Sequence, residues 1–159
     1  MRLILTNCNV IDCVNPDPKT QATVVIEDGR ILEVRDGGPP AATSGGRLID
    51  LEGSYLLPGL WDVHIHPEHP NPAGITVAQL TAAFGQNLQR GLIEAGITGV
   101  RSGGAGHFMD VAWRRAFEGP GPAGPRVFAC GNFLTTTGGH FLTSGQAREC
   151  DGPYGFVQA

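Results

Sequence analysis

The chain has 159 residues, 41% of them hydrophobic and 16% charged, with a formal net charge of −4. This is enough chain for one ordinary hydrophobic core, and the acidic balance leaves no basic stripe to meet phosphates, which excludes nucleic acid as a partner. No apolar run reaches membrane-spanning length and the opening Met1–Asn7 stretch is too short for a signal peptide, so no membrane partner is expected and the expected location is cytoplasmic.

The 24 glycines and 12 prolines put much of the chain in turns and loops. Cys8, Cys13, Cys130 and Cys150 form no Cys-x-x-Cys pair and read as reduced, buried or half-buried thiols.

Residues 2–12 are short, apolar and β-prone. Residues 23–35 read as a hairpin, because Asp28-Gly29 sits between two β-prone runs. Residues 36–46 are a Gly/Pro-rich loop, Arg47–Leu51 is a further strand, and Glu52-Gly53 is a turn. Together these predict a small β-domain over residues 1–56.

From residue 57 the pattern changes. Leu56–Pro67 reads as a buried strand that ends in His64 and His66. Beyond a Pro-rich loop carrying His69, apolar residues at Val77, Leu80, Phe84, Leu88, Leu92 and Ala95 predict an amphipathic helix over 76–95. Thr76 is its expected N-cap and Gly96 its C′ residue. Residues 97–101 are a short strand, Phe108–Phe117 a second helix and Pro125–Cys130 a third strand. The order strand, helix, strand, helix, strand predicts βαβαβ with a parallel sheet.

The histidine strand carries the chemistry. Under regular alternation Asp62, His64 and His66 point to one side, with Val63 and Ile65 on the other. Two imidazoles on one face at a strand end form half of a metal site. The alternative is a pair of surface histidines beside a Pro-rich loop. His69 and His107, in Pro- and Gly-rich loops, read as solvated histidines, and Gly103–Gly106 as a plain strand-to-helix turn without the Lys-Ser/Thr of a phosphate loop.

The run Pro58-Gly59-Leu60-Trp61-Asp62-Val63-His64-Ile65-His66 resembles the Pro-Gly-x-x-Asp-x-His-x-His signature of the amidohydrolase superfamily. Residues 95–101, Ala-Gly-Ile-Thr-Gly-Val-Arg, and residues 124–131, followed by Thr137-Gly138-Gly139-His140, resemble the second and third barrel strands of its imidazolonepropionase-like and prolidase-like branch. That branch usually has Asp where this chain has Ser102.

The resemblance implies an α/β fold: part of a small β-sandwich over 1–56, then over 57–159 the first βαβαβ units of an incomplete TIM (β/α)8 barrel. A whole barrel takes about 250 residues, so the chain is expected to stop after about the third strand. It implies His64 and His66 as ligands of a divalent metal, expected to be Zn2+, with one or two ions in a complete member. Asp62 is then an orienting group behind the ligands, or else a strand-end hydrogen-bonding residue. His140 and Arg101 are candidate substrate contacts; the alternatives are a loop histidine bonded to backbone and a structural salt bridge. No catalytic acid or base is assigned, because the family's later ligands and its late aspartate have no counterpart here.

The implied reaction is hydrolysis of a C–N bond of a small amide, cyclic amide or dipeptide by metal-activated water. The partners expected are a small-molecule substrate and a second copy of the chain. The competing reading is a truncated, non-catalytic metal-binding or interaction fragment, and on either reading the 159-residue chain alone is expected to be inactive.

Overall fold

A turn with two left-handed residues organises the first part of the molecule. Asp28 and Gly29 have φ of 48° and 76°, the combination a tight two-residue hairpin requires and Asp-Gly favours. They join β2 (Lys19–Glu27) to β3 (Arg30–Asp36), with Glu27 paired to Arg30. The computed structural model describes residues 1–38, 45–67, 74–141 and 147–158; His69 lies outside them. The chain divides into two compact units, Met1–Pro58 and Gly59–Ala159.

In the first unit β1 (Arg2–Val10) pairs antiparallel with β2 on one edge. On its other edge it pairs in parallel with β4 (Gly46–Asp50) along Arg2–Thr6, then with β5 (Tyr55–Leu56) at Asn9 and Val10. The change of partner falls at Asn7, a non-glycine residue at φ 53° whose carbonyl accepts the Gly53 N–H at 2.7 Å. Leu5, Cys8, Ala22 and Val24 form the core of one face, joined by Ile26, Ile49 and Leu56. The strand at 2–12 and the hairpin at 23–35 are therefore present. β2 begins four residues earlier than its apolar content suggests, because Lys19–Gln21 add polar, exposed residues to the ladder.

The second unit is a parallel sheet of β6 (Leu60–Ile65), β7 (Ile97–Ser102) and β8 (Arg126–Phe128) in that order. Helix α1 (Val77–Ala95) crosses from β6 to β7 and α2 (Met109–Glu118) from β7 to β8. This is the expected βαβαβ. Thr76 and Gln79 form a reciprocal capping box on α1, and Gly96 closes it at φ 66°. Phe84 and Leu88 of α1, Val100, Val127, Ala105 and Met109 form the core. Trp113 of α2 docks on α1 by donating its indole N–H to the Thr81 carbonyl at 2.6 Å.

Beyond β8, β9 (Phe133–Thr135) and β10 (Ala147–Glu149) make a separate parallel pair, and α3 (Gly152–Gln158) follows. None of the three carries an apolar period long enough to read from sequence. All four cysteines are free; Cys8 and Cys150 are buried, whereas Cys13 and Cys130 are exposed, contrary to the expectation of four covered thiols. Burial pushes the Cys8 thiol pKa up.

Candidate metal centre

The two histidines stand where β6 runs out. His64 is its penultimate residue and His66 follows its last, Ile65. Their Nε2 atoms lie 3.1 Å apart, with the rings near-perpendicular at 79°. Two nitrogens held tetrahedrally at about 2.0–2.1 Å from one Zn2+ stand about 3.3–3.4 Å apart. The pair thus fits two of four positions around one cation. Among the described residues no group of three or more His, Cys, Asp and Glu side chains could hold a metal, so the fit stops at two.

The two histidines, two residues apart, come together as alternation implies, in a strand whose register is irregular just before them. β6 and β7 are in register at Asp62–Val100 and again at Ile65–Ser102, which sets three steps along β6 against two along β7. The register also shifts the other way between Leu60 and Trp61, where one step along β6 faces two along β7. The pairing puts Asp62 and Ile65 beside Val100 and Ser102, two buried residues on one face of β7. Ile65 packs into the core with Phe84 and Leu88, as expected. Val63, set opposite the histidines by alternation, is 64% exposed. What Asp62 contributes is a contact to backbone: its Oδ1 accepts the His64 N–H at 3.2 Å across the irregular stretch.

Backbone contacts from two other elements fix the strand end. The Gly103 N–H donates to the Ile65 carbonyl at 3.1 Å, and Asn87 Nδ2 of α1 donates to the Pro67 carbonyl at 3.0 Å. A cavity of about 360 Å3 opens here, lined by Asp62, His64 and His66 with Asn87, Leu88 and Gly91 of α1. Ser102, at the position where aspartate was expected, is 2% exposed, and its Oγ accepts the Gly104 N–H at 3.2 Å.

Aromatic rings close on His66. Phe133 lies 5.3 Å and Phe141 6.2 Å from it, centroid to centroid, and the two phenyl rings stack on each other at 4.6 Å. His140 packs against Phe141 at 3.9 Å, so it reaches the histidine pair through a phenyl ring. Arg101 Nη1 donates to the Val63 carbonyl at 3.2 Å. His107 is exposed and lies at φ 56° in a short 3₁₀ turn, Gly106–Phe108. Sequence reasoning missed Phe133 and Phe141, since nothing in their local pattern places them beside residue 66.

Two solved structures share this arrangement of elements, and a curated relative resembles part of the chain in sequence. A solved Xaa-Pro dipeptidase with bound methionine superposes with a TM-score of 0.87 at 23% identity, over 100% of this chain and 43% of its own. A prolidase complexed with N-methylphosphonate-L-proline superposes at 0.84 with 27% identity, over 99% of this chain and 42% of its own. In sequence, an adenine deaminase of Dehalococcoides mccartyi (strain CBDB1) is 42% identical over 66 residues, 42% of this chain and 10% of the deaminase. The chain thus spans less than half the length of each. No protein-family model matches it.

Proposed function

We propose that this chain, which belongs to the amidohydrolase superfamily and has prolidase-like structural neighbours, contributes the first metal-ligating strand of a divalent-metal hydrolase. Its substrate is a small amide, a cyclic amide or a dipeptide, cut at a C–N bond. On this reading the five-stranded sheet is one layer of a β-sandwich, and β6, β7 and β8 are the first strands of a (β/α)8 barrel.

The observation that carries the reading is the 3.1 Å separation of the His64 and His66 Nε2 atoms at the C-terminal end of β6. Active sites of such barrels gather at that end of the strands. Neutral imidazoles suit Zn2+, and the chemistry such a cation supplies when bound is Lewis acidity toward a water and a scissile carbonyl. His64 and His66 hold it, while Asp62 steadies the His64 backbone. The exposed Arg101 guanidinium has the planar fork that matches a substrate carboxylate. His140 and Phe141 border the space beside His66.

A second reading, a metal-binding fragment without catalysis, is favoured by the absence of a third ligand among the described residues. Equilibrium dialysis of the chain against Zn2+, and of the His64→Ala and His66→Ala variants, tests the common premise. Binding is expected in the parent and lost in both variants; equal binding by all three proteins refutes both readings.

A further inference from the structure

Gly103 is the residue whose missing side chain the histidine pair uses. A Cβ built on it would fall 2.8 Å from His66 Cε1, 3.0 Å from His64 Cε1 and 3.1 Å from His66 Nε2. Distances that short do not persist, so one partner would have to move. The backbone at Gly103 cannot retreat freely, because its N–H is bonded to the carbonyl of Ile65, the residue between the two histidines. The His66 ring is also in contact with Phe133 and Phe141. The imidazoles would therefore be pushed out of their 3.1 Å arrangement.

Conformation gives no other reason for glycine here. Gly103 is not among the glycines with positive φ, whereas Gly104 beside it is, at φ 127°. The φ at 103 is thus outside the left-handed range that alanine avoids. The atoms that would yield are the outer ends of two side chains and not a neighbouring main chain, so the fold should survive the substitution.

We infer that Gly103 is a positioning residue for the metal ligands: its hydrogen on Cα makes the room in which both Nε2 atoms face one cation, and its N–H anchors the backbone between them. The inference rests on the metal-binding reading above. It assigns to this strand-to-helix turn a role that a plain connection would not have.

The test compares Zn2+ affinity of the full chain, Gly103→Ala and Gly38→Ala, measured by competition with a chromophoric chelator at one protein concentration. Gly38 faces open space and serves as the control. Gly103→Ala is expected to weaken binding about tenfold to a hundredfold, the range typical of groups that orient metal ligands, with far-UV circular dichroism unchanged. The Gly38→Ala variant should match the parent. Parent-like affinity in Gly103→Ala overturns the inference, while absence of binding in the parent overturns the metal reading instead. Should Gly103→Ala lose stability, the double variant with His66→Ala should regain it; an equal loss in both backgrounds also overturns the inference.

Discussion

Asp110, at the start of α2, and Gly131, past the end of β8, are joined by a buried hydrogen bond: Asp110 Oδ2 accepts the Gly131 N–H at 3.0 Å and the Cys130 N–H at 2.9 Å. The carboxyl is 0% exposed and also takes the Val111 N–H on Oδ1 at 2.8 Å. Gly131 in turn accepts from the Ala105 N–H at 2.8 Å. One carboxyl thus ties the turn before α2 to the turn that leads to Phe133 and, through that ring, to His66. Asp110→Ala removes the acceptor of three backbone donors, and the expected loss is about 3 kcal/mol, read by chemical denaturation. A loss indistinguishable from zero would mean that water replaces the carboxyl at these donors.

Two glycines of α1 should respond oppositely to alanine. A Cβ at Gly91 meets only Ile97 Cδ1, at 3.8 Å. Gly91→Ala should therefore raise stability by about 0.5–1 kcal/mol, the helix-propensity difference. A Cβ at Gly85 would fall 1.9 Å from the Trp113 ring, whose N–H is held by Thr81. Gly85→Ala should cost about 1–3 kcal/mol through overpacking. Thermal melts of both variants at matched concentration decide the point, and equal shifts of the same sign would contradict the packing described.

The turn that carries His140 should loosen in acid. Asp151 accepts hydrogen bonds from the Thr137 hydroxyl and N–H, which hold its carboxyl pKa below the usual aspartate range. A depressed carboxylate pKa contributes stability that is present above the unfolded value of about 3.9 and lost as pH falls through the lower, folded value. Hydrogen exchange at the Thr137 amide, corrected for intrinsic rates, is expected to lose protection below about pH 4. Asp151→Asn should flatten that pH dependence. Undiminished protection at pH 2 would count against the contact.

The 159-residue chain should show no measurable turnover of dipeptides or lactams with added Zn2+. Two imidazoles recruit a cation, but activation of water also needs a complete ligand shell and a proton acceptor. Turnover abolished by His64→Ala would refute this and point to a further ligand in the chain.

Self-association is expected as well. Trp61 and Phe128 pack ring to ring at 5.5 Å on the parallel sheet, with the indole over Gly99, and both remain about half exposed. Aromatic surface of that kind on a sheet with open edges favours contact with a second copy. Sedimentation velocity should show concentration-dependent species that diminish in Phe128→Ser. A monomer at every concentration would rule the contact out.

Signals confined to a few neighbouring residues were legible in the sequence. Asp28-Gly29 specifies its own turn, and Thr76, Gln79 and Gly96 specify the ends of α1. The histidine pair was legible for the same reason. The shifted register between Asp62 and Ile65 was not, because it arises in the pairing with β7, a relation no period in β6 records. Gly103, Asp110, Phe133 and Phe141 were missed for a related cause. Each matters through a residue 20 or more positions away, and a glycine that admits an imidazole looks in sequence like one that only turns the chain.

The double use of β1 has a consequence for how the protein is made. β1 is synthesised before β4 and β5, its partners on one edge, with Arg2 opposite Gly46 and Val10 opposite Leu56. The β2–β3 hairpin closes a two-residue loop and can form as soon as it leaves the ribosome, whereas the parallel pairing must close a much longer one and pays its entropy later. During that delay β1 offers unpaired N–H and C=O groups along an apolar strand. A nascent chain paused before residue 46 would therefore be the species most in need of a chaperone.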